Sequence, residues 1–149
     1  MFGLTAIDSA IFRGCHLQSI LLPNILKTIT GSYIFHNCGK LTALEVPEGV
    51  TKISSHQWLW EATGLRTLIF PSTFTTSNGA YLTATNGSNL SLTVICRAFV
   101  PPTLSGSLSY TGNIKTLYVP DDSVDDYKAA QYWSAIASKI KPMSEYTGS

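Results

Sequence analysis

The chain repeats itself every 24 residues. Pro23, Pro47 and Pro71 stand at that interval, as do Leu17, Leu41 and Leu65, inside a pattern L-x-x-[IL]-x-[LVF]-P written as LQSILLP, LTALEVP and LRTLIFP. A fourth version, IKTLYVP, fills residues 114 to 120. Downstream of each proline, apolar residues recur at the third and sixth places: Leu26 and Ile29, then Val50 and Ile53, then Phe74 with Ser77 at the sixth. An aromatic-cysteine signal follows as FRGC and FHNC, replaced in the third copy by LWEA with Leu59 and Ala62. A unit this short cannot bury its own apolar side, so copies must stack on one another.

Strands at the same place in stacked units pair in parallel about 4.7 to 4.9 Å apart, and a proline after each strand ends the ladder without breaking it. The period and the leucine pattern fall in the range of leucine-rich repeats. The expected fold is a right-handed α/β solenoid of about four coils, with a parallel sheet on one face and turns and short helices on the return path. Strands are expected near residues 18 to 22, 42 to 46, 66 to 70 and 115 to 119, and between Leu92 and Ala98. Leu17, Ile20, Leu22, Leu41, Leu44, Val46, Leu65, Leu68 and Phe70 should be buried. The repeats divide a single domain at about residues 4–29, 30–53 and 54–77. A degenerate repeat follows at 78–113, then a last strand and closing segment at 114–143. LTAI at residues 4 to 7 aligns with LKTI and VTKI, so the chain starts inside a repeat and is expected to be the C-terminal part of a longer solenoid.

The composite pattern F-x-x-C-x-x-L-x-x-L-x-V-P-x-x-V-x-x-I resembles the BspA-type, or Treponema-type, leucine-rich repeats. The segment from CRAFVPPTLSG to KIKPM is similar to the closing segment of such proteins in gut Bacteroidales. The resemblance is weakest across residues 72 to 91. It departs at Trp58, Leu59 and Trp60, where an Ala-Phe pair is usual, and at Ala62, which replaces the cysteine. It implies a non-catalytic module, extracellular or on the cell surface, that binds a protein or glycan of a host or neighbouring cell. Two other functions stay open: a distal structural domain of a larger fibre or phage-tail-like protein, and a carbohydrate-binding module.

After Pro120 the pattern turns helical. Asp121, Asp122 and Ser123 offer N-cap oxygens with Asp126 three residues beyond Ser123, and Val124, Tyr127 and Ala130 recur at helical spacing. A short helix is expected from about Val124, a break near Gln131 or Tyr132, and a second turn before Pro142. Val124, Tyr127, Trp133, Ile136 and Ile140 would then cover the end of the solenoid as a helical cap.

Composition narrows the partners. Charged residues are only 13% of the chain and the formal net charge is +1, so no global field draws nucleic acid or an acidic membrane. No apolar run is long enough for membrane insertion as a helix, and no export signal is legible at the N-terminus. The stretch from Thr67 to Cys96 holds no charged residue. Its Ser, Thr, Asn and Gly clusters predict loop, and the sequons at Asn86 and Asn89 carry no weight in a bacterial chain. Cys15 and Cys38 share a repeat position, which leaves two readings, free thiols as core filler or a disulfide between coils, with a metal site a distant third. His16, His36 and His56 recur every twenty residues, out of step with the coil, so they cannot form one stacked ladder and are expected to be solvated. No G-x-S-x-G, no paired acids among Glu45, Glu48 and Glu61, and no phosphate-binding loop is present; enzymatic activity and cofactors are not expected.

Binding remains. The residue between the last two core positions of each strand points outward, giving Leu21, Glu45, Ile69 and Tyr118, of which three are apolar or aromatic. A second row, Arg13, His36 and Trp60, follows the repeat aromatic by one residue. Trp60 stands out, because an exposed tryptophan on a polar solenoid anchors partners. With Tyr81 it would form the stacking platform of the carbohydrate alternative, whereas Trp58 is expected to fill the core beside Leu59.

Overall fold

A computed structural model describes residues 6–7, 9–83, 85 and 91–148. The sequons at Asn86 and Asn89 lie outside the described residues. In chain order the strands are β1 (Ala6–Ile7), β2 (Thr28–Ile29), β3 (Ala43–Glu45), β4 (Lys52–Ile53), β5 (Thr67–Phe70), β6 (Thr76–Ser77), β7 (Leu92–Cys96), β8 (Thr103–Leu104), β9 (Ile114–Val119) and β10 (Ile140–Pro142). They form two parallel five-stranded sheets, ordered β1-β2-β4-β6-β8 and β10-β9-β7-β5-β3. From β3 to β9 consecutive strands alternate between the sheets, so each coil gives one strand to each.

The 24-residue period is the register of both ladders. Ala43 lies opposite Thr67 and Glu45 opposite Ile69 in the longer-stranded sheet, while Lys52 lies opposite Thr76 in the other. The next coil is slightly longer, since Thr67 lies opposite Thr93 and Thr76 opposite Thr103. Inward residues of the two sheets, Leu44, Leu68, Val94 and Leu117 from one and Ile7, Ile29, Ile53 and Leu104 from the other, belong to a single buried cluster. A third wall of the core is aromatic: Phe12 stacks on Phe35 at 5.4 Å, and Phe35 meets Trp58 edge-on at 6.1 Å. Trp58 and Leu59 are fully buried, as expected from sequence.

The return path differs from the sequence expectation. It carries turns and the second sheet, and the expected short helices reduce, among the described residues before β9, to one 3-10 turn at Thr111–Asn113. The turns stack through backbone bonds between coils, such as Phe35 N–H to the Trp58 carbonyl at 2.7 Å and Asn37 N–H to the Trp60 carbonyl at 2.8 Å. Within each turn two residues take left-handed backbone, Tyr33 and Asn37 in one coil and Gln57 and Glu61 in the next. Close stacking also fixes a glycine. A Cβ at Gly64 would overlap the Gly39 carbonyl one coil away, with the Leu41 oxygen just beyond. Gly64→Ala should therefore cost about 1–3 kcal/mol as an overpacked contact, read as a lowered midpoint in urea unfolding; an unchanged midpoint would mean that the coils have room to spread.

The first coil corrects three expectations. Residues 18 to 22 form no strand, although the Gln18 carbonyl still accepts the Thr42 N–H at 3.1 Å. Leu17 is 50% exposed, not buried, and Ile20 is only partly covered. The physical reason is position: β3 ends its sheet, and no described residue packs outside this coil to cover Leu17 or complete a ladder. The other seven expected core residues are buried.

The closing segment holds α1 (Val124–Ala129), a left-handed Tyr132, and a 3-10 stretch, Trp133–Lys139, kinked at Ile136. The break falls where the sequence placed it. The cap chemistry does not: Ser123 makes no side-chain cap bond, and its hydroxyl donates instead to the Phe99 carbonyl at 2.7 Å. Tyr127, Trp133, Ile136 and Ile140 are buried, and β10 lengthens the sheet by pairing in parallel with β9.

Candidate functional site

The outward row of the longer-stranded sheet is continuous, and the chain's own side chains meet part of it. Glu45, Ile69, Ile95, Tyr118 and Lys141 lie opposite one another in turn. Arg97 reaches across β5 to Glu45, Nη1 to Oε1 2.8 Å, and Ile95, unnoticed in the repeat pattern, is buried. Tyr118 packs on Tyr146 with ring centroids 5.1 Å apart, and Ile69 is half-buried. Leu21, 96% exposed at the first coil, belongs to no strand and so stands apart from the row. The expected apolar stripe of Leu21, Ile69 and Tyr118 is thus interrupted, because side chains two strands apart can meet across a parallel sheet.

Rings gather on the turn side instead. Tyr33 meets His56 at 5.8 Å, His56 meets Tyr81 at 4.5 Å, Tyr81 meets Trp60 at 6.4 Å and Trp60 meets Tyr110 at 5.2 Å, each pair edge-to-face. His36 joins the near end, 5.5 Å from Tyr33, with Nε2 3.8 Å from a Glu61 carboxylate oxygen. Coil stacking brings these rings together: His56 and Trp60 come from one turn, Tyr33 from the turn of the preceding coil, and Tyr81 and Tyr110 from later loops. Trp60 and Tyr81, singled out by sequence, are in contact here. Arg13 is exposed and belongs to none of these ring contacts.

Tyr33, His56 and Tyr110 were missed by sequence reasoning. The only signal was an excess of rings at turn positions, offset by intervals of 23, 25 and 29 residues that a fixed 24-residue comparison does not align. The histidine expectation also needs correction: His56 is exposed, but the His36 side chain is only 15% exposed and its Nδ1 is buried without a partner.

The polar atoms of the ring row contrast with those of the core. Trp58 Nε1 donates to the Tyr81 and Leu82 carbonyls at 3.1 Å each, and Trp133 Nε1 donates to the Pro102 carbonyl at 2.8 Å. The Tyr127 hydroxyl donates to the Ala98 carbonyl at 2.7 Å. Trp60 Nε1 and the hydroxyls of Tyr33, Tyr81 and Tyr110 make no hydrogen bond to the described residues. Buried rings are satisfied inside the protein, whereas the donors of the half-buried Trp60, Tyr33 and Tyr81 and of the exposed Tyr110 have no partner among the described residues.

Nucleophilic chemistry finds little support in the thiols. Cys15, Cys38 and Cys96 are free. Burial pushes the Cys38 thiol up to about 12 and the Cys96 thiol up to about 11, the reverse of an activated cysteine. Cys38 Sγ donates to the Phe12 carbonyl at 2.9 Å, a core filler's contact. Among the described residues no group of three or more His, Cys, Asp or Glu side chains could hold a metal, and no helix is long and apolar enough to cross a membrane.

Stacked coils of near-constant length, each with one strand in each of two parallel sheets, define a repeat solenoid. The chain belongs to the BspA type leucine rich repeat family, whose model matches residues 2–99 in six copies. That match ends before the closing segment. No curated protein matches the chain. Repeats of this family are generally protein-interaction modules without catalysis of their own.

Proposed function

We propose that the chain is a non-catalytic binding module, displayed outside the cell or on its surface, that holds a protein or glycan on the ring-bearing turn side of the solenoid. The carrying observation is the row Tyr33, His56, Tyr81, Trp60 and Tyr110, which crosses several coils with its tyrosine and indole donors unpaired among the described residues. Aromatic side chains of this kind bury large area at little conformational cost and so anchor interfaces. The strand face is the weaker candidate because Arg97, Glu45 and Tyr146 already cover part of it. Association of this family with cell surfaces supports the location. The closing segment serves as the cap of the solenoid, with Tyr127 and Trp133 as its anchors.

A binding screen against matrix proteins and glycans tests the proposal with three variants beside the parent. Trp60→Ala and Tyr81→Ala should each weaken the partner found by at least about tenfold, ~1.4 kcal/mol. Ile69→Lys combined with Tyr118→Lys should bind as the parent does. Loss confined to the double variant would move the site to the strand face. A parent that binds nothing in either panel would favour a spacer domain of a larger fibre.

A further inference from the structure

Building on the assignment of the ring row as the partner site, we infer that its ligand is an uncharged glycan chain lying across the coils. Three observations carry this. The first is charge. No charged residue occurs from Thr67 to Cys96 or from Ala98 to Ile114, so the stretches that carry Tyr81 and Tyr110 hold no formal charge of their own. One cation comes in from the closing segment, where Lys139 Nζ donates to the Thr111 carbonyl at 2.6 Å beside Tyr110. The one carboxylate against the row, Glu61, faces His36 at its near end. A sulfated or uronic acid chain would need lysine or arginine along its length, and a protein partner is usually ringed by charge that would find only Glu61 and Lys139 to complement it among the described residues of the row.

The second is the pairing of apolar faces with free donors. A pyranose presents C–H groups on its faces and hydroxyls around its rim. The row offers the same combination inverted: ring surface at every step, with Trp60 Nε1 and the hydroxyls of Tyr33, Tyr81 and Tyr110 unpaired among the described residues. Sugar hydroxyls both donate and accept, so they can satisfy an indole N–H and a phenol alike. The ring contacts, 4.5 to 6.4 Å apart, extend from Tyr33 to Tyr110 over several coils, a length that suits a polymer of rings better than a single compact ligand.

The third is backbone strain. Tyr33 and Tyr110 hold φ of 57° and 55°, left-handed backbone that a large side chain occupies at a cost of about 1–2 kcal/mol and that Gly or Asn takes more cheaply. Two of the five rings are therefore carried at positions where local stability alone favours another residue. At Tyr33 the left-handed backbone belongs to the turn, since Ala10 and Gln57 hold it in the neighbouring coils, and what is left to the site is the choice of a large ring there.

Titration calorimetry with cellohexaose, laminarihexaose and mannohexaose, with heparin as the polyanion and a matrix-protein panel alongside, separates the outcomes. At least one neutral hexasaccharide should bind, more tightly than its disaccharide, and heparin should not. Trp60→Ala should weaken that binding at least about tenfold, with Trp60→Phe retaining part of it. Tyr110→Ala, at a site 49% exposed in the parent, should weaken it severalfold with an unchanged circular dichroism spectrum, which guards against a folding defect at Trp60. A parent that binds a matrix protein through Trp60 but none of the three sugars would overturn the glycan inference and leave the ring row as a protein site. A parent that binds neither sugar nor protein would overturn both. Sugar binding unaffected by Trp60→Ala and Tyr110→Ala would place the glycan elsewhere and end the inference.

Discussion

Trp133→Ala should lower the unfolding free energy by about 3–5 kcal/mol, the cost of emptying a buried tryptophan site. Trp133 is 1% exposed, meets Tyr127 edge-on at 5.5 Å, and donates its indole N–H to the Pro102 carbonyl at 2.8 Å. Removing it opens a cavity and leaves that carbonyl without its partner. The same substitution cuts one of the few ties between the closing segment and the loop after β7; the others are the Tyr127 bond to Ala98 and the Ser123 bond to Phe99. With a urea dependence of about 1–3 kcal/mol per molar, the midpoint should fall by on the order of 1 to 5 M. A loss under about 1 kcal/mol would mean that the segment is not anchored through this side chain.

Trp58→Ala should cost as much, about 3–5 kcal/mol, for a different reason. Trp58 belongs to the aromatic wall with Phe35, and its indole N–H is shared between the Tyr81 and Leu82 carbonyls of the following coil. It therefore fills volume in one coil while pinning the next. Trp58→Phe separates the two roles: the ring restores most of the volume, and the remaining loss, about 1–3 kcal/mol, reports the orphaned carbonyls. Equal losses for the two variants would assign the whole effect to the hydrogen bonds. Thermal unfolding reads the difference, since about 1 kcal/mol moves the midpoint by roughly 2–4 °C in a chain of this size.

The longer-stranded sheet was legible because each strand and its flanks carry several buried apolar residues, enough for Leu41, Leu44 and Val46 to align with Leu65, Leu68 and Phe70 across 24 positions. The second sheet was not. Its strands are two residues long, as in Lys52–Ile53 and Thr76–Ser77, too short for alternation to register, and only the inward Ile29 and Ile53 left a trace. Leu17 is exposed at a core position of the repeat because burial in a solenoid is lent by the neighbouring coil, which a repeat pattern alone does not supply. Ser123 was misjudged for a related reason, since the Phe99 carbonyl that takes its hydroxyl lies 24 residues away, beyond any local capping rule.

At the candidate site the sequence named Trp60, Tyr81 and His36 and missed Tyr33, His56 and Tyr110. Turn residues are positioned by backbone bonds between coils, such as Tyr33 N–H to the His56 carbonyl at 3.0 Å, and not by side-chain periodicity. A change of a residue or two in coil length leaves those bonds intact while shifting the ring out of the repeat. The strand-face stripe failed in the opposite way. Its periodicity was real, and the ion pair that Arg97 makes with Glu45, two strands away, interrupts it while both side chains stay about half exposed, at 42% and 56%.

The central claim is that the turn side of the solenoid, and not the strand face, holds the partner. Amide and indole chemical-shift mapping of the nitrogen-15-labelled chain, titrated with the partner from the binding screen, tests it most directly. The expected result is a contiguous set of shifts at the Trp60 indole N–H and the amides of Tyr33, His56, Tyr81 and Tyr110, with Leu21, Ile69 and Tyr118 unmoved. Shifts concentrated at Ile69 and Tyr118 with the Trp60 indole unmoved would contradict it.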